Sequence, residues 1–368
     1  MDLFTQLHRV MKQFLFFLAF SIGLNFHANT FAQVNEDAAR AGRGVTTSLY
    51  AASLADTKIG VDPERSVSVY LPAGYDEGEE AYPVLYYLHS IFWSNTQMFA
   101  DGGVKRLLDE AIAKGTIRPV ILVAADYSTP MAGSFYENSS TSGRWLDFTI
   151  DELIPFIDRE FRTLPDRDSR GVVGDMMGAY GALRMAMLYP EVFGAVYAMH
   201  PFATGTGWVP MASVPNWERM HKATSFEDLE GDVASQVFLS MAQAFLPNPD
   251  RPPFYCDFMV EMEDGVLEPN QEHSALLKDR FLLDHMLPAH ADGLRKMNGI
   301  KLDWGRYDPN QDHVYSNHAF TRKLDELGIF HFAEEYRGNT WNQNWIPHGR
   351  FADNVLPFFD RFLVFASH

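Results

Sequence analysis

One short stretch of the sequence has the form of a catalytic turn but lacks the residue that would carry the chemistry. Residues 171–190, GVVGDMMGAYGALRMAMLYP, place a short β-branched segment before a glycine-framed corner and a helical pattern. In a Gly-x-Ser-x-Gly turn of this kind, the central serine is exposed at the end of a strand for nucleophilic attack. Here the frame runs from Gly174 to Gly178, and its central residue is Met176. A thioether has no proton to lose, so Met176 cannot form an acyl-enzyme in the usual way.

Two side chains near the turn offer alternative acid–base chemistry. Asp175 precedes the central position, whereas aspartate nucleophiles occupy the centre itself, so capping or hydrogen bonding of the turn is its other role. His200 follows the apolar run 195–199, and the ends of such strands border ligand clefts in α/β proteins. With His89 and Asp175 it could form a polar cluster or a metal site, although no spacing signature of a metal site is present. A structural, hydrogen-bonded histidine is the alternative interpretation.

Two further groups of reactive side chains have a simple structural interpretation. Residues 303–318 include Asp303, Asp308, Asp312, His313 and His318. Their spacing predicts a solvated loop followed by the start of a helix. The only cysteine, at position 256, cannot form an intramolecular disulfide. Its aromatic and apolar neighbours, PPFYCDFM, predict a buried structural cysteine rather than a thiolate nucleophile beside a base.

The elements that must position these side chains alternate between strand and helix. Residues 66–71 alternate polar and apolar side chains, and residues 83–88 and 120–125 are continuous apolar runs typical of strands buried on both faces. Shorter strand patterns occupy residues 171–173, 195–199, 301–304 and 331–336. Helical patterns occupy residues 104–114, 148–161, 179–188, 318–327 and 351–365. This alternation predicts an α/β fold, with a mainly parallel central sheet and helices on both faces.

One long segment interrupts the alternation. Residues 202–298 are rich in Met, Phe, Trp and Pro, with helical patterns at 233–245 and 276–286 and no convincing strand pattern. We interpret the segment as a helical cap inserted between sheet strands and packed over their carboxyl ends, where α/β enzymes bind ligands. The sequence therefore predicts a single domain over residues 33–368 that contains this cap.

The N-terminus has the composition of a targeting segment. Basic residues up to Lys12 precede the apolar run FLFFLAFSIGL, and small residues around Ala32 follow it. Segments in this order predict a secretory signal peptide over residues 1–32, with the start at Met1 or Met11. An uncleaved membrane anchor is the alternative, although the run is short for a transmembrane span. We therefore expect an exported protein, periplasmic or secreted, with no membrane span after cleavage.

The composition limits the classes of partner. The chain has 368 residues, of which 46% are hydrophobic and 21% charged, enough for one large α/β domain with a sizeable core. Its formal net charge of −18 argues against nucleic acid and against anionic membrane surfaces as partners. We expect neither a cofactor nor a metal.

Several long motifs together resemble one family. They are VYLPAGYDEGEEAYPVLYYLH, GSFYENSSTSGRWLDFTIDELIPFIDREFRTL and GDMMGAYGALRMAMLYPEVFGAVYAMHP, then GRYD at residues 305–308 and VLPFFDRFL near the C-terminus. On these motifs the chain is similar to the esterases of the α/β-hydrolase fold that include esterase D and feruloyl esterases. The resemblance runs from about Ser48 to Leu363. It implies the α/β-hydrolase fold and the hydrolysis of carboxylic or thioester bonds by a Ser-His-Asp triad.

The resemblance also assigns the triad positions in this sequence. Met176 stands at the serine position, because the flanking matches leave no room for a register shift. Asp308 matches the triad acid and is retained. The family histidine is the third residue of a Gly-Gly-His or Gly-Asp-His run, and the corresponding run here is GNT, with Thr340 at its end. His348, a little further along the chain, is a candidate for a displaced base.

The oxyanion hole that the resemblance implies is changed less. The family sequence Leu-His-Gly after a main strand corresponds here to LHS, with Ser90 at the glycine position. Glycine lets backbone N–H groups approach a developing oxyanion closely, and serine can still permit that approach. The second donor is the backbone N–H of Met177, which does not depend on the side chain. Ser90 and Met177 are therefore the expected oxyanion-hole residues.

Together these substitutions favour a pseudo-esterase. With two of three triad side chains replaced, we expect a protein that keeps the scaffold and binds a small-molecule ligand, an ester-like compound or a partner without Ser-dependent acyl transfer. Two alternatives stay open. One is repurposed acid–base chemistry by His200, His348 or Asp308, and the other is ester hydrolysis by an unrecognised nucleophile.

Overall fold

A computed structural model describes residues 41–205, 214–340 and 343–366 of the chain. The predicted signal peptide at residues 1–32, with its alternative starts, lies outside the described residues. Within the described part, no helix combines the length and the apolar character that crossing a membrane requires.

Eight strands form the central sheet, in the order β1-β2-β4-β3-β7-β8-β11-β12. The antiparallel pairs are β1 with β2 and β2 with β4, and all the other neighbours in this sheet are parallel. Two short hairpins, β5–β6 and β9–β10, lie apart from it. The strands of the described residues are β1 (Arg43–Tyr50), β2 (Glu64–Leu71), β3 (Val84–Leu88), β4 (Ile121–Ala125), β5 (Asn138–Ser139), β6 (Gly143–Arg144), β7 (Arg170–Asp175), β8 (Ala195–Met199), β9 (Val260–Glu263), β10 (Val266–Pro269), β11 (Gly299–Gly305) and β12 (Phe332–Tyr336).

Helices connect these strands and cover both faces of the sheet. Those of the described residues are α1 (Gly103–Ala113), α2 (Ile154–Glu160), α3 (Met177–Leu188), α4 (Trp217–Lys222), α5 (Val233–Phe245), α6 (Gln271–Phe281), α7 (Leu283–Leu294), α8 (Gln311–Glu326) and α9 (Leu356–Phe362). Helical turns at Trp145–Asp147 and Phe148–Leu153 lead into α2, and one at Phe351–Val355 leads into α9.

The core has two parts, one on each face of the sheet. Successive residues of β3 alternate between them, because neighbouring side chains of a strand point to opposite faces. Side chains of α1 and α9 complete one part, and side chains of α2, α3 and the segment between β8 and β11 complete the other. The mainly parallel sheet with helices on both faces is the architecture that the sequence predicts.

Three local predictions are wrong. Residues 43–50, where the sequence predicts no strand, form the edge strand β1; its residues are mostly exposed, so pairing with β2 and not an apolar pattern makes it a strand. Residues 202–298 contain the hairpin β9–β10, whose side chains lie largely at the surface and therefore show no hydrophobic alternation. The single helix predicted at 276–286 is two helices that break at Leu282, where the backbone is extended.

Candidate functional site

The turn between β7 and α3 keeps the strained backbone of a nucleophile turn although its central residue is methionine. Met176 has φ 49° and ψ −110°, a left-handed conformation that side chains other than glycine rarely adopt. Its N–H donates to the carbonyl of Met199 at 3.1 Å, and its carbonyl accepts the N–H of Tyr180 at 3.0 Å. The side chain is 6% exposed. Strain of this kind costs on the order of 1–3 kcal/mol, so the surrounding packing must impose it.

The glycines on either side of Met176 show how the packing imposes that strain. A Cβ added to Gly174 would overlap the backbone of Gly178. A Cβ added to Gly178 would overlap the carbonyl oxygen of Leu88 at the end of β3. The start of α3 therefore lies directly against two strand ends, and this contact fixes the corner whatever side chain stands at its centre. The turn therefore keeps this strained geometry with a methionine at its centre.

Asp308 lies in the loop after β11 and holds Thr340, the residue at the family histidine position. The Thr340 hydroxyl donates to Asp308 Oδ2 at 2.6 Å, and both side chains are buried. Burial opposes the charge on Asp308, but the adjacent His200, His313 and Thr340 side chains outweigh it and hold the pKa of this carboxyl well below its usual range. The carboxylate is thus ionised and satisfied by a hydroxyl where the family would have an imidazole.

His200 is the imidazole that meets Asp308 in this structure. It follows β8 with φ 55°, is fully buried, and directs Nε2 at Asp308 Oδ2 and at Thr340 Oγ1, the latter at 2.9 Å. Its Nδ1 accepts the N–H of Gly305 at 3.1 Å, which places the ring proton on Nε2. Burial lowers the pKa of His200, so the ring is neutral. Both nitrogens are therefore engaged, and neither offers a lone pair to a nucleophile at Met176.

His313 joins the same cluster from the first turn of α8. The sequence predicted a solvated loop and helix start here, and that prediction is wrong for His313, which is fully buried. Its Nδ1 lies 3.5 Å from Asp308 Oδ2, and neither ring nitrogen has a hydrogen-bond partner among the described residues. The sequence signal that could have placed His313 beside Asp308 is the short spacing between the two residues. A side chain in the first turn of the following helix can fold back on a loop residue a few positions earlier.

His348 and His89 lie in other surroundings. His348 is 79% exposed at its side chain, and its recorded ionic contact is with Asp353, at 3.6 Å from Nδ1. The structure does not bring His348 together with Asp308. His89 is fully buried, accepts the Tyr127 N–H at Nε2 and contacts the Ser90 carbonyl with Nδ1, both at 2.8 Å. The hypothetical cluster of His89, Asp175 and His200 is therefore not formed, since each side chain has different partners.

The expected oxyanion-hole residues stay near the turn. Ser90 follows the end of β3 and is fully buried, and its Oγ has no hydrogen-bond partner among the described residues. Met177 is the first residue of α3, and an N–H in the first turn of a helix has no partner within that helix. The role of both residues as oxyanion donors stays a prediction.

Asp175 is a buried carboxylic acid beside the turn. It is 2% exposed, and the Tyr87 hydroxyl donates to Oδ1 at 2.9 Å. Burial raises its pKa to about 6, and the hydrogen bond from Tyr87 opposes that rise. Asp175 therefore lies beside the turn and accepts a hydrogen bond from Tyr87, a residue of the neighbouring strand β3.

Cys256 is buried in the structure, as its apolar neighbours predict. Burial raises the pKa of its thiol above its ordinary value, which disfavours the thiolate that a nucleophile needs.

Comparison with known sequences gives the chain's relatives. The family described as "Putative esterase" matches residues 60–244, half of the chain. The "Endo-1,4-beta-xylanase/feruloyl esterase" of Xylanibacter ruminicola is 34% identical over 139 residues, 35% of this chain and 18% of that protein. "Esterase Rv1288" of Mycobacterium tuberculosis is 34% identical over 137 residues, 36% of this chain and 27% of that protein. The matched segment thus spans well under two thirds of these relatives.

Solved structures share the fold. A ferulic acid esterase superposes with a TM-score of 0.59 at 19% identity, covering 88% of this chain and 99% of that one. An S-formylglutathione hydrolase from Agrobacterium tumefaciens gives a TM-score of 0.55 at 17% identity, covering 88% and 97%. At these identities the likeness establishes the α/β-hydrolase fold that the resemblance implies.

Proposed function

Because this chain belongs to the putative esterase family, we propose that it is an exported, non-hydrolytic member whose cleft binds an ester-like small molecule or a partner. One observation carries the proposal. The nucleophile turn keeps its strained geometry, yet the residue at its centre is a buried methionine, Met176. A thioether cannot be deprotonated by a neighbouring base, so a bound ester would meet no nucleophile at this position.

The base is missing independently of the nucleophile. Thr340 stands at the family histidine position, and its hydroxyl donates to Asp308. A threonine hydroxyl does not accept and return a proton near neutral pH as imidazole does. Restoring a serine at position 176 would therefore leave a hydroxyl without an activating partner.

His200 does not compensate for the lost base. His200 Nε2 contacts the Asp308 carboxylate, which is the partner of the histidine in the family triad. The other nitrogen of His200, Nδ1, accepts a backbone N–H. A base in acyl transfer needs one nitrogen on the acid and the other on the nucleophile. His200 and the Thr340 hydroxyl already occupy Asp308 Oδ2, so a histidine at position 340 would have to displace His200 to hold that oxygen as in the family triad.

The names of the relatives support a class of ligand for this cleft. One relative named above is an endo-1,4-beta-xylanase/feruloyl esterase and the other is an esterase, and these names support an aromatic or other carboxylic ester as the ligand of this cleft. The N-terminal segment up to residue 32 supports export, because its basic, apolar and small-residue order is that of a signal peptide.

The direct test is covalent labelling of the wild-type protein. We expect no labelling by a fluorophosphonate probe and no turnover of short aryl esters, with a family esterase that carries the serine as positive control. Labelling of any serine in the folded protein would contradict the proposal. Binding of ethyl ferulate, followed by the change in protein fluorescence, tests the ligand class separately.

A restoring variant tests why activity is absent. Met176→Ser with Thr340→His and His200→Ala replaces the nucleophile, supplies the base and frees Asp308 to hold it. We expect this triple variant to take the fluorophosphonate label. The matched controls are the same variant with Met176→Ala, which lacks a nucleophile, and the double variant that keeps His200. Equal labelling of the double and triple variants would show that His200 does not block Asp308.

Repurposed acid–base chemistry is the second candidate, and the contact between His200 and Asp308 favours it. This reading predicts turnover of some bound substrate without fluorophosphonate labelling. The activity would be lost in His200→Ala, and a rate unchanged by that substitution would remove this candidate.

A further inference from the structure

We propose that His200, Asp308 and His313 form a binding site for a divalent transition-metal ion, with Zn²⁺ as the best match. The three side chains come from the end of β8, the loop after β11 and the first turn of α8. One ligand atom of each lies within 4.8 Å of the other two, and all three residues are buried. This inference goes beyond the proposed function and does not depend on it.

The ligand set has the chemistry of a zinc site. Two imidazole nitrogens and one carboxylate oxygen are ligands that Zn²⁺ accepts in four-coordinate sites. Two ligands about 2.0 Å from a tetrahedral ion lie about 3.3 Å apart. The separation of His313 Nδ1 from Asp308 Oδ2 is 3.5 Å, close to that edge. The contact of His200 Nε2 with Asp308 Oδ2 is shorter than that edge, so these two atoms must move apart when the ion binds. The Thr340 hydroxyl, 2.9 Å from His200 Nε2 and 2.6 Å from Asp308 Oδ2, lies beside the same atoms and could complete the set.

His313 supplies the independent observation. It is fully buried, and neither Nδ1 nor Nε2 has a hydrogen-bond partner among the described residues. Buried polar side chains are nearly always hydrogen-bonded, so an imidazole without partners needs an explanation. A metal ion bound by the Nδ1 lone pair, on the side that faces Asp308, would satisfy one of these two nitrogens.

His200 is oriented for ligation by its backbone contact. The Gly305 N–H donates to Nδ1 and holds the ring with Nε2 toward Asp308. An ion at Nε2 takes the place of the proton on that nitrogen, which is released as the metal binds. Asp308 supplies the negative charge that balances part of the charge of the ion.

The position of the cluster predicts a closed, structural site. With the buried Thr340 hydroxyl as the fourth ligand, the three coordinating side chains leave no open position for substrate, unlike a catalytic zinc centre. An ion here would tie the end of β8 to the loop after β11 and to α8. We therefore expect the metal to enter during folding and to exchange slowly in the folded protein.

Metal content of the untagged, full-length protein tests the site. The protein is unfolded in denaturant with a chelator, refolded with or without Zn²⁺, and desalted before elemental analysis. We expect about one zinc ion per chain after refolding with Zn²⁺ and a higher melting temperature than the zinc-free sample. Co²⁺ in place of Zn²⁺ should give the visible absorption of a tetrahedral complex with nitrogen and oxygen ligands.

Two variants and one control make the test specific. His313→Gln and Asp308→Asn should each weaken Zn²⁺ binding at least about tenfold, since each removes one of three ligands. His318→Ala is the matched control, because His318 lies on the same helix, is exposed and contacts Glu335. If a variant does not fold, the Co²⁺ spectrum and the zinc anomalous signal of the wild-type protein still decide. No retained zinc in the wild type, or unchanged binding in His313→Gln, would overturn the proposal.

Discussion

The buried acid beside the turn should make stability depend on pH in a direction opposite to that of most carboxylates. Asp175 has a pKa of about 6 in the folded protein because burial disfavours its charged form, against an ordinary value of 3.8. The folded state therefore binds this proton more tightly than the unfolded chain. Its contribution to the free energy of unfolding is largest below the ordinary value. It declines as the pH rises to about 6 and stays low above that.

The size of the effect follows from the difference between the two pKa values. Each pKa unit corresponds to about 1.4 kcal/mol, so the cost of ionising Asp175 in the folded protein is about 3 kcal/mol above pH 6. Asp175→Asn removes the charge and keeps an oxygen that can accept the Tyr87 hydroxyl. A mismatched hydrogen bond at the new amide would cost about 1 kcal/mol at every pH. The unfolding free energies of the variant and the wild type differ by an amount that changes with pH. This change, and not the difference at any one pH, therefore measures the effect of the Asp175 charge.

Urea unfolding followed by tryptophan fluorescence, from about pH 4 to about pH 7, provides the measurement. We expect the variant to gain about 2.4 kcal/mol relative to wild type across this range, because about 0.6 of the full 3 kcal/mol is already present at about pH 4. Asp151→Asn, an exposed acid on the surface, serves as the matched control and should show a nearly constant difference. A constant difference for Asp175→Asn would refute the reasoning, because the buried carboxyl would then titrate as it does in the unfolded chain.

Three further predictions concern the scaffold. Gly178→Ala should lower the free energy of unfolding by more than about 2 kcal/mol in urea titrations, because the added Cβ overlaps the Leu88 carbonyl; a smaller loss would mean that the corner can move. Arg350→Leu should cost about 3–5 kcal/mol in the same assay, since it leaves the buried carboxylate of Asp303, which Arg350 contacts at 2.6 Å, without its arginine partner. Cys256 should react with a thiol reagent only after unfolding, and rapid labelling of the native protein would contradict its burial.

Met176 is one of several residues at this site that differ from the pattern that the family resemblance implies. The turn that would present a serine is held by the contact of Gly178 with the end of β3. The backbone strain at Met176 therefore persists although no nucleophile is exposed there. At the same time, Thr340 and His200 satisfy the carboxylate of Asp308. The family histidine position thus departs from the family pattern together with the nucleophile position, which agrees with the proposed non-hydrolytic function.

The local pattern of the sequence was sufficient for the architecture and for the loss of the nucleophile. Continuous apolar runs at 83–88 and 120–125 mark central strands, because parallel strands covered on both faces must be apolar throughout. The hydrophobic pattern of the sequence did not predict the exposed edge strand β1, because hydrogen-bond pairing with its neighbour alone makes that segment a strand. That Met176 cannot act as a nucleophile follows from its side-chain chemistry, whatever the fold does with it.

Only the tertiary structure decided which side chains meet. His200 and Asp308 lie far apart in the chain, and they come together because β8 and β11 are neighbours in the sheet and end at the same edge. In the sequence His313 is part of a polar helix start, and it becomes a buried neighbour of Asp308 only because α8 turns that residue toward the loop of Asp308. The chemistry of each residue was present in the sequence. The distances between these side chains depend on strand order and helix packing, which no short stretch of sequence determines.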